Sequence, residues 1–193
     1  MTKWLSHRMV ERGIIKEEEQ ELYQFGIRNG MILLLNVVTA LVIGLVTEQL
    51  AVVAVFTLSF MVLRGYTGGY HSDSRIFCYL GSNLVLLVPV YTQAVFYKTS
   101  LAWLLAVLLV SAGIIFLLSP MHSKNRKLDK EEQKHFGRKA RLIAALELAV
   151  LGILWHAGQI PYAYAVYTGI CITALFMLVG KAQLWIQSHT ENG

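Results

Sequence analysis

Long apolar runs separated by short polar breaks dominate this chain, and they decide its class. The runs cover residues 31–46, 50–63, 79–97, 101–118, 142–155 and 162–179. None shows the polar stripe of a soluble amphipathic helix. In lipid, each backbone N–H and C=O must find its partner within its own segment, so such runs fold as helices. The reading is an all-α, polytopic integral membrane protein with six membrane-embedded helices. A full span takes about 20 residues, so the runs at 50–63 and 142–155 are short and must tilt or locally thin the bilayer. Composition agrees. Charged residues make up 15% of the chain, against about a quarter in soluble domains. The 193 residues form a single membrane domain, 1–193.

The polar segments carry the organisation. Residues 2–28 read as an amphipathic surface helix with Trp4 as an interface anchor; a solvated helix is the alternative. No apolar core of a cleavable signal interrupts the scattered charges of residues 1–30. Thr47, Glu48 and Gln49 make a tight turn, as do Lys98, Thr99 and Ser100, and residues 156–161 make a third. Pro89 kinks the third run. Asn36, Asn83 and Gln93 are expected to hydrogen-bond between helices. Residues 119–141 form the one long hydrophilic loop, and it is strongly basic. With the N-terminus inside and six crossings, every Lys and Arg except Lys98 falls on the cytoplasmic side, as the positive-inside bias requires. Both termini and the 64–78 stretch then face the cytoplasm of a multi-pass cell-membrane protein. The net charge of +5 sits between apolar runs, which speaks for contact with a lipid bilayer rather than nucleic acid. Short, polar-bearing helices are compatible with a homodimer.

The longest polar break in the first hundred residues is Arg64-Gly-Tyr-Thr-Gly-Gly-Tyr-His-Ser-Asp-Ser-Arg-Ile-Phe-Cys78. A thiol attacks a carbonyl as thiolate, so it needs a base or a favourable field. His71 is the natural base for Cys78. On one straight helix residues seven apart are separated by about 10 Å along the axis, too far for contact. The helix must therefore break between them. Gly68 and Gly69 free the backbone, and Ser72, Asp73 and Ser74 are helix-capping types. If Ser74 caps the next helix, Cys78 falls in its first turn or just beyond, where the positive end of the helix dipole favours thiolate.

Other residues keep two readings each. Asp73 orients the imidazole as a third catalytic member, or simply caps the helix. Arg64 meets a substrate carboxylate or an oxyanion, or anchors the second helix. Glu147, an acid within an apolar run, meets Arg64, His71 or substrate, or snorkels to the interface. Cys171 reads as an inert thiol. There is no His-Glu-x-x-His, no phosphate-binding glycine loop and no Gly-x-Ser-x-Gly, so no metal or cofactor is expected. A small transporter, with 64–78 as a re-entrant loop, and a non-catalytic membrane scaffold are the competing readings.

Arg64, the run Gly68-Gly69-Tyr70-His71 and Cys78, set among six apolar segments with a basic loop after the fourth, resemble the accessory gene regulator B (AgrB) family. The layout matches over nearly the whole chain. The resemblance implies that His71 and Cys78 are a catalytic pair and that Arg64 and Gly69 support them. It assigns propeptide processing to a basic stretch like Lys124, Arg126 and Lys127. It also implies a bacterial membrane cysteine endopeptidase acting on an AgrD-like propeptide with an amphipathic helix and an acidic C-terminal tail. The tail would be removed, the remainder held on Cys78, and a thiolactone or lactone ring closed to give a quorum-sensing signal.

Overall fold

The computed structural model describes residues 2–68, 75–121 and 130–190, and all regular structure among them is helical. The chain divides into two compact units, residues 1–39 and 40–193. The first unit begins with α1 (Thr2–Glu11), where the Arg8 guanidinium lies 4.9 Å from the Trp4 ring centroid. The expected surface helix over 2–28 is two helices. Gly13, at φ 65°, stops the first: its N–H bonds to the Val10 carbonyl, and that of Ile14 to the Met9 carbonyl. Those two bonds satisfy the last carbonyls of α1 at a left-handed residue, where glycine carries no steric penalty. A 3-10 turn at Glu17–Glu19 follows, held by the Glu19 carboxylate accepting from the Lys16 N–H at 3.2 Å. Helix α2 (Gln20–Val46) then continues without interruption into the first apolar run and on into the second unit.

The second unit holds α3 (Leu50–Thr67), α4 (Arg75–Tyr91), α5 (Gln93–Lys98), α6 (Leu101–Leu118), α7 (Lys130–His156) and α8 (Ile160–Thr190). The turn between α2 and α3 repeats the device seen at Gly13, but with Glu48 in the left-handed region at φ 58°. The turn between α7 and α8 does it again with Gly158, at φ 73°. Gly44 permits the close return of α3, because a Cβ there would lie 2.8 Å from the Leu50 Cα.

Helix α8 is the centre of the second unit and packs against α3, α6, α7, α4 and α5. Its small residues Ala163, Ala165, Gly169 and Ala174 let neighbouring helices approach, as membrane interfaces require. One core cluster joins Phe56, Phe96, Tyr164 and Ala165; the other joins Leu63, Ile115, Ala144, Ile170 and Met177. The third apolar run divides at Thr92, between α4 and α5. Tyr164 of α8 holds that division: its hydroxyl donates to the Pro89 carbonyl at 3.0 Å and lies 2.7 Å from Thr92 Oγ1.

Five described segments are long and apolar enough to cross a membrane: Glu17–Val46, Leu50–Thr67, Tyr79–Lys98, Leu101–Leu118 and Ile160–Ile186. The protein is an all-α, multi-pass membrane protein. The remaining expected segment, 142–155, is the apolar half of α7. Its first turns are charged, because the helix starts at Lys130, well before the loop expected over 119–141 ends. Among the polar residues expected to bridge helices, Gln93 donates within α5 to the Tyr97 hydroxyl at 3.4 Å. The amide oxygens of Asn36 and Asn83 are buried and find no hydrogen-bond partner among the described residues.

Candidate functional site

Gly69, His71 and Asp73 lie outside the described residues, as do Lys124, Arg126 and Lys127. What is described is the frame from which both stretches spring. Helix α3 ends at Thr67, and Gly68, at φ 73°, turns the chain away. The Gly68 N–H bonds to the Arg64 carbonyl at 3.3 Å, and the Met121 N–H donates to the Thr67 carbonyl at 2.9 Å. The last described residues before the two stretches are thus tied to each other. Gly68 is required twice over: its φ suits glycine, and a Cβ would sit 2.6 Å from the Met121 oxygen.

Cys78 is the fourth residue of α4, which begins at Arg75 and packs against α3 and α8. The Cys78 side chain lies outside what the structure describes.

Arg64 occupies the last turn of α3, with its guanidinium 4.7 Å from the ring centroid of Phe176 and 5.8 Å from that of Phe60. The two rings meet edge to face at 5.8 Å, so α3 and α8 build an aromatic seat for a cation beside the site stretch. Neither ring stood out in the sequence, since phenylalanines in apolar runs carry no signal of such a role.

Glu147 is placed by Ser59. The Ser59 hydroxyl donates to Glu147 Oε2 at 2.7 Å, tying α7 to α3. Ser59 is buried and also packs against Gly169, where any Cβ would collide with its Oγ. Glu147 is therefore part of a three-helix polar node. The sequence reading, which set Glu147 against Arg64, His71, substrate or the interface, did not point to Ser59.

The basic face beside the site was partly missed. Lys134, Arg138, Lys139 and Arg141 belong to α7, not to a loop. Lys139 Nζ lies 5.9 Å from the Tyr66 ring, and Tyr66 packs on Phe136 with ring centroids 6.2 Å apart. Gly137 packs on Pro120; a Cβ there would be 2.9 Å from Pro120 Cδ. The charged turns of α7 thus stand against the ends of α3 and α6, next to the Thr67–Met121 junction.

Comparison with known proteins bears on this arrangement. The sequence model of the family described as Accessory gene regulator B matches residues 1–178. The chain is 25% identical over 131 residues to AgrB-like protein 2 of Clostridium perfringens strain 13, a match covering 65% of this chain and 61% of that one. It is 22% identical over 148 residues to an AgrB-like protein of Clostridium perfringens strain SM101, covering 74% and 69%. Both relatives are themselves named by likeness to the family. No solved structure matches the chain. With the family model matched along nearly its whole length, the chain belongs to the accessory gene regulator B family.

Proposed function

We propose that this protein is an integral-membrane cysteine endopeptidase that processes an AgrD-like propeptide in quorum sensing. The observation that carries the reading is the Met121–Thr67 hydrogen bond, which ties together the last described residues before the His71 stretch and before the basic stretch, at the end of α3. Family membership supports it.

In this mechanism His71 takes the Cys78 proton, and the thiolate attacks the carbonyl that precedes the acidic tail. Backbone N–H groups at the start of α4 stabilise the oxyanion. The intermediate collapses, the C–N bond breaks, and the imidazolium protonates the departing amine. The remaining peptide is left as a thioester on Cys78. An internal thiol or hydroxyl of the peptide then gives its proton to His71, neutral again, and attacks that thioester; a ring closes, the Cys78–acyl bond breaks, and Cys78 leaves as thiolate. One thioester replaces another when the nucleophile is a thiol, so no ATP is needed. Water must be kept away from the acyl-enzyme, which a site bounded by membrane helices provides.

Lys124, Arg126 and Lys127 attract the acidic tail. A substrate lying on the same membrane surface meets the site at raised effective concentration. Arg64, held by Phe60 and Phe176, serves a substrate carboxylate, with Gly69 and Asp73 supporting the catalytic pair, Asp73 by orienting the His71 imidazole. Glu147 supports the site through Ser59. The active site and both termini face the cytoplasm in this reading, which rests on the distribution of Lys and Arg along the chain.

The test is cleavage of propeptide by purified protein in liposomes. Cys78→Ala and His71→Ala each abolish cleavage while membrane insertion persists; cleavage surviving in Cys78→Ala overturns the reading. The Ser59–Glu147 pair inside the bundle gives a transporter reading its one support. That reading predicts peptide flux that thiol alkylation leaves untouched.

A further inference from the structure

The charged end of the helix pair α6–α7 holds a cavity of about 530 Å³ that the proposed chemistry does not use. Its walls include Lys134, Arg138 and Arg141 of α7 and Ser119 and Pro120 at the end of α6. The three cations recur at spacings of four and three, so they share one helix face. Arg141 is fixed in place, because its Nε donates to the Phe116 carbonyl at 3.1 Å and so meets an end-of-helix acceptor. Its two terminal nitrogens can still donate to another acceptor. Among the described residues, no carboxylate lines this cavity. Glu131 stands in the adjoining smaller one with Lys134, His135 and Arg138, and offsets only part of the charge.

The position along the helices identifies the ligand. Immediately past Arg141 the surface of α7 turns apolar, with Leu142 and Leu146 exposed, and Leu117 of α6 is 82% exposed. In a membrane protein such leucines face acyl chains, so the cavity lies at headgroup depth. Basic pockets between membrane helices at this depth suit anionic lipid headgroups.

We propose that the Lys134–Arg138–Arg141 cavity binds the phosphate headgroup of an anionic phospholipid, whose acyl chains run down past Leu117 and Leu142. The site does not depend on the peptidase reading, and its test reads no activity.

Purified full-length protein in nanodiscs of phosphatidylcholine and phosphatidylglycerol is examined by native mass spectrometry, with the thermal midpoint measured in parallel. Wild type retains phosphatidylglycerol after phosphatidylcholine is stripped, and added phosphatidylglycerol raises its midpoint. In Lys134→Gln/Arg138→Gln retention falls roughly tenfold or more, whereas Arg138→Lys and, at the opposite end, Lys98→Gln retain the lipid. Arg141 is left in place because of its bond to Phe116. Equal retention in wild type and the double variant, or a wild type with no preference for phosphatidylglycerol, overturns the proposal. So does a midpoint raised as much by inorganic phosphate, or by a soluble hexaglutamate peptide, as by the lipid; the peptide result would mark a site for acidic polypeptide instead.

Discussion

Gly68 and Glu48 show how single backbone conformations govern the ends of these helices. Both have positive φ, but only one is glycine. Replacing Gly68 by Ala puts a Cβ 2.6 Å from the Met121 oxygen, at φ 73° and ψ −152°, a backbone region essentially confined to glycine. The expected cost is about 1–3 kcal/mol, and the junction beneath the site should shift. Gly68→Ala should thus lower both the thermal midpoint and propeptide cleavage without altering either proposed catalytic side chain. Glu48→Gly should do the reverse for stability, adding about 1 kcal/mol by removing strain at the α2–α3 turn; thermal unfolding in detergent reads it. The tight turn at 47–49 was legible from three consecutive polar residues. The identity of its strained position was not, because glutamate is a poor marker for the left-handed region.

Helix α7 carries the largest difference between local sequence signal and fold. Its basic half reads as loop because charges crowd it. Yet Phe136, Ala140 and Ala144 recur every four residues, and Ala140 and Ala144 are fully or almost fully buried. That spacing is a helix face continuing upstream of the apolar run. A similar continuity explains α2, where nothing between Gln20 and Met31 stops a helix already running, so surface and membrane segments merge. The Ser59–Glu147 contact joins residues 88 apart and has no local signature. Its expected weight is testable. Ser59→Ala leaves a carboxylate in the bundle without its donor and should cost about 1–3 kcal/mol. Glu147→Gln keeps an acceptor for Ser59 and should cost less. A double-mutant cycle should show coupling between the two positions; strict additivity would mean that the hydrogen bond carries no stability.

At the scale of the molecule, the helices of the second unit gather round α8, and the Met121–Thr67 hydrogen bond joins the last described residues before the two candidate functional stretches. The class of fold was legible because lipid admits so few backbone solutions. The tie between Thr67 and Met121 was not, because it depends on how α3 and α6 end beside each other. Family membership gives the chain its setting, and the proposed chemistry concentrates on one sulfur. The direct measurement is the mass of the purified protein, quenched in acid during turnover of propeptide. The account predicts a transient, hydroxylamine-labile adduct on Cys78 whose mass equals the propeptide less its C-terminal tail and less one water, absent in Cys78→Ala and His71→Ala. Tail release at the wild-type rate with no adduct at Cys78, or an adduct of the same mass on another residue, would contradict it.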